Sequence, residues 1–260
     1  MAIVESTMEV TGRLGEFVYY RRKGTDKIIM RRCNGPSKER IKTDGKFART
    51  RENNAEFKAC NLFAASVRRP MIAFRQIADP NYTGRLVKLA KEIQLRDAER
   101  PRGERGVCLS ANKALLRGFN FNKEHPFDNL LQHPVTASAN RAAGTVTLSF
   151  PAIMPDINLS LPWKLPFYRF VVYLAMMGDI VYRKELFEPA VAPAWDRKVS
   201  AWQHRDARAE GFDLQLSLDV PVLADASLIV AVGIEMGMPD GSGELKGRKY
   251  AGGAKVLEVF

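Results

Sequence analysis

The chain has 260 residues, 46% of them hydrophobic, and a formal net charge of +11. That length suffices for one large domain or two small ones with a sizeable core. Three widely spaced cysteines with no CxxC pair exclude a disulfide framework or a zinc ribbon, and no apolar run approaches the roughly 20 residues of a membrane-spanning helix.

The charge is unevenly placed. Residues 1–125 hold 27 Lys and Arg against 14 Asp and Glu, a net +13, whereas residues 126–260 hold 13 against 15, a net −2. An excess confined to one half points to a polyanion, an acidic partner surface or an anionic membrane as counterpart. The opening MAIVESTMEVTG places Glu5 and Glu9 where a secretory signal needs a basic region followed by an apolar one, so a cytoplasmic location is expected. Cys33, Cys60 and Cys108 are then expected to be reduced thiols.

Residues 16–22 and 27–32 read as strands, because Val, Tyr, Phe and Ile suit a pleated surface. The short connection Lys23-Gly24-Thr25-Asp26 suits a hairpin, and Gly12 and Gly15 mark a turn or bulge before it. Phe17, Tyr19 and Arg21 would share one face, and Val18, Tyr20 and Arg22 the other, so each face is part apolar and part basic. A helix follows over residues 46–67, capped by Asp44. Phe57, Cys60, Asn61 and Ala64 recur on it at helical spacing, with Arg49, Arg51 and Lys58 on the polar side. Arg68-Arg69-Pro70 ends it. MIAFRQIA reads as a second helical piece. Residues 83–95 form another helix with Leu86, Leu89, Ala90 and Ile93 on its apolar face and Arg85, Lys88 and Lys91 facing away. ERPRGERG is a charged loop, and residues 109–116 suit a short helix ending at Gly118.

After Phe121 the character changes. GTVTLSF, FYRFVVYLA, DIVYRKELF, FDLQLSLDV, SLIVAVGIEM and AKVLEVF are β-like runs separated mostly by Gly, Pro or Asp. The expected fold is therefore α+β. A basic hairpin-and-helix region spans residues 1–121, and an immunoglobulin-like antiparallel β-sandwich spans residues 122–260.

Gly12, Leu14, Gly15, Val18 and Tyr19-Tyr20, followed by RTRENNAEFKAC, GERG and SLIVAVGIEM, make the chain resemble a bacterial family with no assigned activity. That family pairs a G-x-L-G-x-x-V-Y-Y hairpin with a helical middle and a β-sandwich end. The resemblance implies an architecture and no catalytic residues.

Chemistry-bearing motifs are absent from the sequence. His125 and His133 are eight apart and each precedes a Pro, His204 stands alone, and no HExxH, GxSxG, GxxxxGK[ST] or strand–GxGxxG–helix occurs. Asp206 and Glu210 sit among arginines as a solvated patch, and Trp195 and Trp202 read as packing residues. No catalytic residue, metal site or cofactor is expected. What remains is charge: residues 12–69 carry 16 Lys and Arg against 6 Asp and Glu. Aromatic rings among cations can stack on bases while the cations neutralise phosphates. Tyr19, Tyr20, Arg21, Arg22, Lys23, Arg31, Arg32, Arg49 and Arg51 are the candidate nucleic-acid-binding residues of a non-enzymatic protein. The alternative is an assembly module, a homo-oligomer or a complex with an acidic protein surface, in which the hairpin extends another subunit's sheet.

Overall fold

A computed structural model of the chain describes every residue except 1, 5–9, 23, 24, 26 and 34. It is a mixed α/β protein with antiparallel sheets. Two compact units meet in sequence at Arg51 and Glu52.

The first unit, Met1–Arg51, is built on four short strands: β1 (Ala2–Val4), β2 (Gly12–Leu14), β3 (Phe17–Arg21) and β4 (Ile28–Arg32). They lie in the order β1-β4-β3-β2. Both expected strands are present and paired as a hairpin, although three of the four residues expected to connect them lie outside the described residues. Residues 12–14, read from sequence as a turn, instead add a third strand to β3. Gly15 sits at φ 58 in the tight turn between them, a left-handed conformation that favours glycine. Ile28 and Ile29 are neighbours on β4, so they point to opposite faces, and both are buried. A short helix, α1 (Lys38–Thr43), follows; the Ser37 hydroxyl caps it by accepting from the Arg40 amide at 3.1 Å. Asp44 accepts from the Lys46 amide at 2.9 Å. The expected cap thus exists, on a 3-10 turn (Gly45–Phe47) that leads into helix α2 (Ala48–Arg68).

The second unit, Glu52–Phe260, has three layers. On one side lie α2, the 3-10 segment Ile72–Gln76 and α3 (Tyr82–Gln94). In the middle is a sheet of β7 (Phe167–Met177), β10 (Ala194–Val199), β13 (Ser227–Pro239) and β14 (Leu245–Val259), ordered β10-β7-β13-β14, with β11 (Gln203–His204) also on β7. On the other side are β5 (Thr136–Asn140), β6 (Thr145–Phe150) and β12 (Phe212–Ser217), ordered β12-β6-β5. The hairpin of β8 (Ile180–Arg183) and β9 (Leu186–Pro189) and the short helices α4 (Lys113–Leu116), α5 (Phe127–Leu130) and α6 (Pro155–Asn158) complete it.

The alternation of β7 explains the layering. Val171, Tyr173, Ala175 and Met177 pack against Phe63, Phe74 and Leu86 of the helical layer. Phe170, Val172, Leu174 and Met176 pack against Val146, Leu148 and Leu216 of the smaller sheet. A strand covered on both faces has no solvent side, so it reads as an unbroken apolar run. The two sheets form the sandwich-like part, and the helices close the face that a free-standing two-sheet sandwich would expose. Phe121 lies inside this unit. Its ring meets Phe74 at 5.3 Å, and its amide donates to Ala254 O at 2.8 Å.

Two helical details differ from the sequence reading. The buried stripe of α2 is Glu56, Ala59, Cys60, Phe63, Ala64 and Val67, so Phe57 is 59% exposed and Phe63 takes the core position. On α3, Leu86, Ala90 and Ile93 are buried as expected, but Arg85 and Lys91 do not face away. Arg85 bridges Asp79 and the carbonyls of Asn120 and Phe121, and Lys91 reaches Glu56. Each long side chain covers apolar surface while its charged end finds a partner. The segment carrying Asp206 and Glu210 is a turn and an isolated bridge, with no helix.

Candidate nucleic-acid interface

The first unit holds 13 Lys and Arg against 6 Asp and Glu, a net +7 out of the chain's +11 in a fifth of its length. Strand pairing organises part of this charge. Arg13 of β2, Val18 of β3 and Arg31 of β4 are register partners, so the two guanidinium groups flank Val18 on one face. The next rung, Leu14–Phe17–Arg32, presents the opposite face. A groove of about 760 Å³ is lined by Arg13, Arg31, Arg32, Cys33 and residues 35–37.

Within it the cations are differently committed. Arg32 donates to Glu16 Oε2 from Nε at 2.8 Å and Nη2 at 2.5 Å, with both side chains more than half exposed. A pair that exposed contributes little net stability. Arg13 Nε donates to Gly15 O at 3.1 Å in an exposed contact. Arg31 is exposed and has no carboxylate partner among the described residues. Sequence reasoning missed Arg13, because GRL is too short to show alternation and was taken as a turn; its signal was the basic residue between two glycines just ahead of the hairpin.

The other candidates are spread more widely. Tyr19 and Tyr20 are both half-buried, Tyr19 beside Gly12 and Met30 and Tyr20 beside Ile29. Neither is a fully outward stacking platform nor a fully buried core ring. Arg21 and Arg22 are exposed at the end of β3, and Arg21 is engaged; Arg22 O accepts from the Thr25 amide and hydroxyl. Lys23 lies outside the described residues. Arg49 is exposed and engaged at the start of α2. Arg51 is half-buried, and its Nη1 donates to Ile41 O at 2.8 Å and Asp44 O at 2.9 Å. It ties the end of α1 to the turn that follows it, a positioning role within the first unit. Of the candidates, Arg31 therefore shares a face with Arg13, and Arg32 borders the same groove from the next rung.

A strongly perturbed buried carboxylate belongs to the second unit. Glu56 is fully buried. Burial pushes its pKa up, but hydrogen bonds from Arg105, the Gly103 amide and Lys91 outweigh it and hold the carboxyl at about 2. Its Oε1 accepts from Gly103 N at 3.0 Å and Arg105 Nε at 2.7 Å, its Oε2 from Arg105 Nη2 at 3.0 Å and Lys91 Nζ at 2.5 Å. With four donors and no solvent it is a structural tie between α2, α3 and the charged loop. Cys60, one turn on, donates to Gln94 Oε1 at 3.5 Å, and burial pushes its thiol up to about 11. The three cysteines are free. Among the described residues no group of three or more His, Cys, Asp and Glu side chains could hold a metal ion, and no helix is long and apolar enough to cross a membrane.

Comparison with known proteins returns no matching protein-family model, no matching curated protein and no matching solved structure.

Proposed function

We propose that this chain is a non-enzymatic binding protein that engages nucleic acid through the arginine-lined groove of its first unit. The observation that carries this reading is the pairing of Arg13 and Arg31 across Val18 on one face, at a groove that Arg32 also borders, within a unit of net charge +7. Guanidinium groups bind phosphate oxygens in a planar, bidentate fashion, and a concave basic surface concentrates polyanions around it. Binding proceeds by charge neutralisation, with Tyr20, on the face that carries Arg13 and Arg31, adding limited stacking and little sequence discrimination. The three free cysteines fit a reducing compartment, and the reading places the protein in the cytoplasm. It also treats the two packed sheets as an immunoglobulin-like sandwich, supported by their antiparallel pairing and shared core.

The test is fluorescence anisotropy with a labelled single-stranded 20-mer over a salt series. Replacing Arg13 and Arg31 by Ser should weaken binding and lower the log–log salt slope by roughly 0.7 per lost phosphate contact. An unchanged slope rejects the groove.

One observation favours a second reading, assembly through the sheet edges. The terminal strands β1 and β2 each span three residues, and they display Ile3 at 57% and Leu14 at 67% exposure. An exposed apolar edge is a template for another chain's strand. Size-exclusion chromatography at low and high salt separates the two readings. A salt-resistant oligomer with a protein-like 260/280 nm absorbance ratio supports assembly; co-eluting nucleic acid that salt removes supports the first.

A further inference from the structure

The second unit carries a surface feature of its own. Strand β14 pairs with β13 through Glu235↔Gly252 and again through Gly237↔Gly247, so residues 248–251 bulge opposite the single residue Met236. Such bulges re-aim side chains that regular pairing would direct elsewhere. At its crest Tyr250 is held at φ 64. That left-handed conformation is unfavourable for a bulky side chain and free for glycine, so the sequence retains a ring where packing alone would prefer none. The ring does not fill the core, since Tyr250 is 63% exposed. The bulge is fixed from behind by Gly252, where a Cβ would lie 2.2 Å from Ile234 O.

Tyr250 lines a cavity of about 380 Å³ together with Lys249, Ile72, Arg75 and Gln76. That size falls within the range of small-ligand sites. Ile72 is 66% exposed. The pocket thus has a ring and an aliphatic side chain as apolar walls, an amide, and two cations. No carboxylate lines it, and Lys249 and Arg75 form no ion pair among the described residues. An uncompensated pair of cations beside an exposed ring and an aliphatic wall suits a ligand with a flat π-face and an anionic group.

From this geometry we infer that the Tyr250 pocket binds a nucleoside phosphate, with the base against the Tyr250 ring and Ile72 and the phosphate on Lys249 and Arg75. Stacking on a tyrosine face is sequence-tolerant, and the cations make the contact salt-dependent. A free nucleotide and one residue of a single strand share this chemistry. The site lies wholly in the second unit and does not depend on the arginine groove of the first.

The test uses the full chain carrying Arg13→Ser and Arg31→Ser, which disables that groove, titrated calorimetrically with adenosine monophosphate, a four-nucleotide single strand and inorganic phosphate. Adenosine monophosphate should bind at least about tenfold more tightly than phosphate, because only it has a base to stack. Equal affinity for the strand and the mononucleotide assigns the site to free nucleotides; tighter strand binding assigns it to nucleic acid. The decisive variant is Tyr250→Gly, which relieves the backbone conformation while removing the ring. It should bind about tenfold or more weakly with a melting temperature equal to or above that of the parent. Arg75→Ser should cost affinity and flatten the salt dependence. Phosphate binding as well as the nucleotide overturns the inference, as does the absence of nucleotide binding. A Tyr250→Gly variant that melts earlier yet binds normally also overturns it, by making the ring structural.

Discussion

Replacing Glu56 by Gln should destabilise the second unit by about 3 kcal/mol at pH 7. The change preserves volume and removes only charge, so its cost is read from the donors the carboxylate satisfies. All four hydrogen bonds at Glu56 run toward its oxygens; a Gln amide group would point two N–H donors at other donors and leave Arg105 and Lys91 short of countercharge. A carboxyl held at about 2 against its ordinary 4.5 contributes about 3 kcal/mol, at 1.36 kcal/mol per unit. That agrees with the roughly 3–5 kcal/mol for removing one partner of a buried ion pair. Because the folded pKa is depressed, the contribution is present in full above about pH 4.5 and is lost as pH falls toward 2. The gap between the parent and Glu56→Gln should therefore shrink by about 2 kcal/mol between pH 7 and pH 3. All three tryptophans, Trp163, Trp195 and Trp202, lie in the second unit, so urea unfolding followed by their fluorescence reads the relevant transition. A loss below about 1 kcal/mol, or a gap that stays constant with pH, would refute the assignment of Glu56 as a buried ionised tie.

Other expectations follow from packing. Gly252→Ala places a Cβ 2.2 Å from Ile234 O at φ 152, whereas Gly241→Ala meets nothing within 4 Å. The first should lower stability by about 1–3 kcal/mol or more and the second by less than about 0.5 kcal/mol, both measured by thermal melts. Cys60 should resist a thiol reagent until the protein unfolds, since it is buried and its thiol is pushed up to about 11; timed labelling with mass spectrometry would show whether it reacts in the native state. A fragment of residues 48–260 should melt cooperatively. One of residues 122–260 should aggregate, because it lacks Phe63, Phe74 and Leu86, which cover one face of the central sheet; circular dichroism and light scattering compare the two.

Local features were legible in the sequence and tertiary ones were not. The β3–β4 hairpin, α3 and the end of α2 ahead of Pro70 each follow from a few adjacent residues. The stripe of α2 was misread because Glu56 looks like a surface residue until Arg105, 49 positions on, supplies its partner. Strands β5 (TASAN) and β10 (AWDRKV) carry small or charged residues, and pairing with β6 and β7, rather than β-propensity, makes them strands. The helical cover on the central sheet left its trace in the apolar runs of β7 and β13. For the site, the density of cations was visible from composition, whereas the groove needed the register that brings Arg13 level with Arg31.

The doubly covered strand β7 also has a consequence for synthesis of the chain. Forty-nine residues separate Met177 from Ser227, where its neighbour β13 begins. At about 5–20 residues per second the ribosome takes roughly 3–10 s to span that distance. For that interval the eleven residues of β7, FYRFVVYLAMM, lack the strand that pairs with all of them, and only β10 and β11, along the other edge, are made meanwhile. The helical layer and the β5–β6 hairpin are already available to cover its faces. The edge that β13 takes stays unpaired, and co-translational chaperones are the natural occupants of such an edge. Slowing translation between residues 178 and 227 should therefore lower the soluble yield more than slowing it after residue 240.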